Sequence, residues 1–270
     1  MAAALCGATY ADNPSTIVSR AEYPQFAMIG RLESQRIITQ GGVTGISKGS
    51  AFLVSPCYLL TAAHVVLPES FHVSRDIDYT MQFRVGVGSS TPFLGHVDAR
   101  PDFGLMQTTN GKELLLLKLP PDKCVGGLPN IGWLEPSSLP LSKGRSVAAA
   151  GFPGGLPDGT FAVGYGRTGA VTPTGKIGFS GSFMMGQSGG PVLTWEDGTM
   201  KVVGVIGYQV GHTLDQSYAT YSFTNANGVE DVVAYLDRPV IKAIIAADKA
   251  TFGKPNPAAG RIRTEHVPPR

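Results

Sequence analysis

Charge is scarce in this sequence. Only 16% of its 270 residues are charged, and the formal net charge is +2. With no stripe of Lys and Arg interleaved with aromatics, there is no electrostatic case for nucleic acid as a partner. Long apolar runs are missing as well. None approaches the roughly 18 residues of a membrane-spanning helix, so no membrane span is expected. The three cysteines, Cys6, Cys57 and Cys124, are too few for a disulfide framework, and their spacing fits no zinc motif. No metal-ligand cluster and no cofactor motif stands out, so no metal and no cofactor are expected. "GYGRTG", Gly164 to Gly169, has the glycine spacing of a dinucleotide loop, but the "AVTPTG" that follows cannot open a helix. "GGVTGISKGS" has no glycine immediately before Lys48 and misses the phosphate-loop spacing.

What is abundant is apolar residues and turn formers. Hydrophobic residues make up 43% of the chain, with 35 Gly and 20 Pro. This is a folding composition with many turns, long enough for a large core. From Ile37 to Gln209 short β-rich runs alternate with turn signals. "SAFLVS", "YLLTAAHVV", "MQFRVGV", "ELLLLKL", "SVAAAGF", "FAVGYG", "GPVLTW" and "KVVGVIGY" read as strands. "SSTP", "TTNGK", "PDGT" and "EDG" read as turns. Regular alternation of this kind predicts an all-β barrel or sandwich. Residues 122–143 read as a connector between two β lobes, 31–121 and 144–229. "VEDVVAYL" and "VIKAIIAADKA", within 230–252, carry apolar residues at helical spacing. The tail 253–270 reads as disordered. The first 30 residues form a separate segment whose start, "MAAALCGATYADN", has the small apolar character of the end of a secretory signal. It lacks the basic n-region of such signals. A signal remnant and an ordinary N-terminus both stay open.

Two motifs carry chemistry. "MMGQSGGPV", Met184 to Val192, sets Ser188 in a glycine-rich turn. A serine hydroxyl is a weak nucleophile at neutral pH and needs a base, which needs an orienting acid. "LLTAAHVV" offers His64 as that base, just after an apolar strand. "TAAH" followed downstream by "G-x-S-G-G-P" resembles the trypsin/chymotrypsin-like serine peptidases, from about Gly49 to Leu236. "GSAFLVS-PCYLLTAAHVV" and "GFPGG", Gly151 to Gly155, resemble the bacterial branch, which includes the glutamyl endopeptidases. The resemblance implies two six-stranded antiparallel β-barrels with the active site in the cleft between them, and a C-terminal helix on the second barrel, for which "VEDVVAYL" is the candidate. It implies serine endopeptidase activity on protein or peptide substrates, in a secreted or periplasmic setting.

The family pattern assigns residues one by one. Ser188 would be the nucleophile and His64 the base. The backbone N–H groups of Gly186 and Ser188 would form the oxyanion hole. Trypsin carries an aspartate where Gln187 stands, and that aspartate pairs with a freshly cut N-terminus. Gln187 cannot, so the loop must be ordered another way. The acid strand of the family reads roughly "D-I-A-L-L-K-L". Here "ELLLLKL" puts Glu113 in the acid position, preferred over Asp102 in "RPDFGLMQ". Substrate-binding positions fall on Ser182, Gly207 and Tyr208, with Met185 near the pocket mouth. Ser182 cannot read Lys or Arg, and Ile206 stands where glutamyl-specific members place a histidine. A neutral, moderately apolar side chain at the cleavage point is the expectation. In the resembling fold a Cys57–Cys124 disulfide is reasonable, because the strands they flank run antiparallel. The departure at the acid position keeps two other readings open: an inactive homologue that binds proteins or peptides, and a structural or adhesion domain carrying a relic site.

Overall fold

The structure, a computed structural model, describes residues 16–18, 26–38, 42–66, 77–85, 95–101, 115–124, 132–138, 142–154, 156–157, 159–171, 176–180, 182–207, 220–222, 232–233 and 239–252. Cys6, Asp102, Glu113, Tyr208, the "SSTP" and "TTNGK" turns and the tail from 253 lie outside the described residues.

The first half holds β1 (Thr16–Ile17), β2 (Ile29–Ile38), β3 (Gly42–Leu53), β4 (Tyr58–Thr61), the single turn α1 (Ala63–Val66), β5 (Ile77–Val85), β6 (Gly95–Pro101) and β7 (Leu115–Lys118). Strands β2-β3-β4-β7-β6-β5 form a closed barrel, with β5 pairing back to β2. Closure leaves no unpaired edge to satisfy elsewhere. The antiparallel pair at the centre of the argument is β4 with β7, in which Thr61 faces Leu115 and Tyr58 faces Lys118. The long reading "YLLTAAHVV" as one strand is corrected at its end, since Ala63 to Val66 turn helical.

The second half holds β8 (Glu135–Pro136), β9 (Ser146–Gly151), β10 (Ala162–Val171), β11 (Lys176–Ser180), β12 (Ser182–Met184), β13 (Pro191–Glu196), β14 (Thr199–Ile206), β15 (Thr220–Ser222) and β16 (Val232–Val233). The larger sheet has eight strands. Its antiparallel pairings run β9 to β10 to β11 to β16 to β14 to β13 and back to β9. β1 joins on β10, and β8 lies parallel to β14. β12 and β15 pair separately.

Strand β9 shows why its sequence has no polar alternation. Ala148 and Ala150 pack into one core, which also takes in Leu53, Leu60 and Leu116 of the first barrel. Val147 and Ala149 face a second core with Phe179, Phe183, Val203 and Ile206. Both faces are covered, so period-two segregation disappears and a continuous apolar run results. The "EDG" turn is the two-residue loop of the β13–β14 hairpin. Asp197 and Gly198 both have positive φ, at 50° and 74°, between the paired Glu196 and Thr199. That is the backbone a tight hairpin requires.

Helix α2 (Pro239–Phe252) begins on its proline, where no N–H is needed. Two expectations about this end are corrected. "VEDVVAYL" is not a helix throughout, because Val232 and Val233 form β16 between β11 and β14. β-branched residues such as valine favour strand backbone. And α2 reaches the first half and the connector. Asp248 accepts hydrogen bonds from Ser55 Oγ at 2.6 Å and Cys57 N at 2.9 Å. Lys249 pairs with Glu135 at 2.5 Å, and Ile245 is buried in the larger core.

Cys57 and Cys124 are joined by a disulfide, with a Cα–Cα distance of 4.5 Å. Cys57 precedes β4 and Cys124 follows β7, and the antiparallel pairing brings those ends together. The bridge closes a loop across a sequence separation of 67. Loop-closure entropy then predicts about 4 kcal/mol of stabilisation. The Cys57→Ser/Cys124→Ser double variant should lose stability of that order in denaturant unfolding. Free thiols at both positions in non-reduced peptide mapping would contradict the bridge.

Candidate active site

Ser188 lies on the loop between β12 and β13. The loop is held by its own backbone. Gln187 N–H donates to Met184 O at 3.0 Å and Gly190 N–H to Gln187 O at 2.9 Å. Gly189 N–H donates to Ile206 O, and Ile206 N–H returns a bond to Gly190 O, both at 2.8 Å. The loop thus rests on the end of β14.

The first barrel meets this loop through β3 and the end of β4. Ser50 N–H donates to Ser188 O at 2.7 Å. The Ser50 hydroxyl donates to Gly186 O at 3.0 Å and accepts from Phe152 N–H at 2.9 Å. Thr61 Oγ1 donates to Ser50 O at 2.8 Å. Gly189 has φ of +83°, and a Cβ there would run into Ser50 O and Thr61 Oγ1 and lie 3.0 Å from Ala62 N. Only glycine fits so close a crossing. The residue after Ser188 therefore packs on the two residues that lead into Ala63 and His64. In α1, Ala63, Val65 and Val66 are buried, and His64 is the half-buried member. The structure thus brings the Ser188 loop against the turn that carries His64.

Two peptide units of the loop are fixed in orientation. Met185 O accepts from Gly154 N–H at 2.7 Å, and Gln187 O from Gly190 N–H at 2.9 Å. A trans peptide sets its N–H opposite its carbonyl. Pinning these two carbonyls therefore aims the N–H groups of Gly186 and Ser188 the other way. Among the described residues neither N–H meets an acceptor. Gly186 has φ of +93°, and a Cβ there would strike Gly154 N and lie 2.8 Å from Phe152 O. Phe152 and Gly154 of the "GFPGG" segment, which the sequence offers only as a resemblance, form the wall against which this loop is set.

Gln187 is fully buried. Its Oε1 accepts from Met184 N–H at 2.5 Å, and its Nε2 donates to Ala162 O at 2.8 Å. Sequence reasoning identified Gln187 by what it cannot do, but gave no sign of these partners. It also missed Ser50, which reads there as one more strand residue. Met185, beside Gly186, is 52% exposed. Ser182 lies in β12, its backbone paired with Ser222; its side chain is outside the described residues. Gly207 is buried directly after β14. Among the described residues no group of three or more His, Cys, Asp or Glu is placed to hold a metal ion.

The far end of β13 is anchored by a buried carboxylate. Glu196 accepts from Ser137 Oγ, from Ser138 N at 3.0 Å and Oγ at 2.9 Å, and from Arg145 Nη2 at 2.9 Å. Burial by itself would raise its pKa, but these hydrogen bonds outweigh it and hold the value at about 2. The folded-state value lies below the ordinary one. The stabilisation is therefore complete above pH about 4.5 and is lost as pH falls through about 2. Over that window it corresponds to about 3 kcal/mol. In Glu196→Gln, acid unfolding followed from pH 5 to pH 2 should show a shallower loss of stability than wild type. An unchanged slope would contradict this assignment.

A family model described as a trypsin-like peptidase domain matches residues 49–205. That is more than half of the chain, and the chain belongs to the trypsin-like peptidase family. No curated protein matches it significantly. Among solved structures it is similar to the Rv3671c protease of M. tuberculosis in its active form, at 17% identity and a TM-score of 0.48, covering 88% of this chain and 87% of that one. It is similar also to the inactive form, at 17% identity and a TM-score of 0.45, covering 87% and 95%.

Proposed function

We propose that this protein is a serine endopeptidase whose nucleophile is Ser188 and whose general base is His64. The observation that carries this reading is the packing of the Ser188–Gly189 crossing on Thr61 and Ala62. This packing of backbone on backbone supports a serine that works beside the turn carrying the imidazole. The lobes read from the sequence as 31–121 and 144–229 are then the two barrels, the second completed by β16, with the site in the cleft between them. Ser188 Oγ attacks the scissile carbonyl carbon while its proton passes to His64. The imidazolium then protonates the leaving amine, and water resolves the acyl-enzyme by the reverse route. The N–H groups of Gly186 and Ser188 receive the oxyanion.

Glu113 is the proposed acid. Thr61 faces Leu115 across β4 and β7, so β7 begins at the end of β4 that leads to His64. Glu113 precedes Leu115 by two residues in the chain. Asp102 follows Pro101, whose strand β6 pairs β7 on the side away from β4. The substrate is a protein or peptide with a neutral, moderately apolar residue at the cleavage point, read by Ser182, Gly207 and Tyr208. The Cys57–Cys124 bridge supports a secreted or periplasmic location, where disulfides persist. Among the described residues no helix is long and apolar enough to cross a membrane. A fluorophosphonate probe, which reacts only with an activated serine, tests the reading. It should label wild type and not Ser188→Ala. An unlabelled wild type that still binds peptides would be a binding domain instead.

A further inference from the structure

The Gln187 carboxamide is unused by the chemistry just described, yet it is fully buried in the middle of the loop that carries it. Both of its ends are engaged. Oε1 receives Met184 N–H from β12 at 2.5 Å, and Nε2 reaches Ala162 O at the start of β10 at 2.8 Å. Its own peptide is used as well, the N–H by Met184 O and the carbonyl by Gly190 N–H. Gln187 lies between the two residues, Gly186 and Ser188, whose N–H groups point away from pinned carbonyls. A side chain tied to two strands at once fixes the position of both neighbours.

We propose that Gln187 is a positioning residue, whose carboxamide locks the Gly186–Ser188 segment in the orientation that receives the oxyanion. This rests on the peptidase reading above. A neutral amide does this work without charge, so the lock neither titrates nor calls on a free terminal amine. The carboxamide needs one acceptor, for Met184 N–H, and one donor, for Ala162 O. A protonated carboxylic acid offers the same pair, whereas a carboxylate offers acceptors alone and turns one of them on the Ala162 carbonyl. Burial favours the protonated form of such an acid.

The test is a pH series on Gln187→Glu and Gln187→Met, reading kcat and KM for one peptide together with the melting temperature at each pH. At alkaline pH Gln187→Glu should have a kcat roughly 10²-fold below wild type, with KM little changed, because a loosened oxyanion site affects the transition state most. As pH falls, the ratio of variant to wild-type kcat should rise, since protonation restores the donor to Ala162 O. Gln187→Met should show a deficit that does not vary with pH. A wild-type kcat in Gln187→Met, or a ratio for Gln187→Glu that stays flat while the protein remains folded, overturns the proposal. If both variants unfold, the wild-type protein decides. Its Gln187 side-chain amide protons should exchange slowly by NMR, and fast exchange overturns the lock. Absent labelling of wild type by fluorophosphonate rejects the peptidase reading instead, and the amide-exchange measurement still judges the lock.

Discussion

Ser188→Ala will lower kcat for peptide cleavage by roughly 10⁶-fold while leaving the fold intact. The expected loss is this large because nucleophile and base act as a unit. With the hydroxyl gone, His64 has no proton to accept, and no acyl-enzyme can form. A residual rate remains from binding and from the donors of Gly186 and Ser188. The fold should survive because the contacts that seat Ser188 are made by its backbone: its carbonyl accepts from Ser50 N–H, and its neighbours Gly189 and Gly190 bond to β14. The measurement is turnover of a diverse peptide library by both proteins, with melting temperatures alongside. Equal cleavage by the two would sink the assignment of Ser188.

Glu113→Gln will lower kcat by roughly 10⁴-fold, and Asp102→Asn will cost little. The acid must accept one imidazole N–H while the other nitrogen faces the serine, so a single carboxylate fills the role. An amide in place of the Glu113 carboxylate keeps the length of the side chain but loses the counter-charge that stabilises the imidazolium, which is why the expected effect falls on kcat. Glu113→Asp should keep part of the activity, since it preserves the charge and shortens only the reach. The β4–β7 pairing sets the end of β7 that opens on Leu115 beside the end of β4 that leads to His64. A near-normal kcat in Glu113→Gln with a collapse in Asp102→Asn would transfer the role to Asp102. Near-normal rates in both would mean that no carboxylate of this pair drives the reaction.

Much of the fold was legible because its signals are local. "EDG" reads as a turn since glycine and aspartate tolerate positive φ, and Asp197 and Gly198 adopt it in the β13–β14 hairpin. The apolar runs of β4, β7, β9, β13 and β14 read as strands, since their residues are β-formers bounded by turns. The pairing of "YLLT" with "LLLK" came through the family resemblance, and with it the approach of Cys57 to Cys124. Less legible were elements whose state depends on distant partners. Val232 and Val233 carry a helical pattern in their neighbourhood, yet β11 and β14 take them as a strand. The C-terminal helix was legible as a helix, but its docking on Ser55, Cys57 and Glu135 was not.

The sequence by itself determined the two motifs, the serine in its glycine-rich turn and the histidine after its strand. Each is a matter of residue type and spacing within a few positions. Tertiary structure alone decided what holds the loop. Ser50 bonds Gly186 across 136 residues, Gln187 reaches Ala162 across 25, and Gly154 pins Met185. Serine, glutamine and glycine leave no periodic trace that marks such partners. Their hydrogen bonds depend on where folding brings a distant backbone group, because a buried amide or hydroxyl must find its partner wherever the packed chain supplies one.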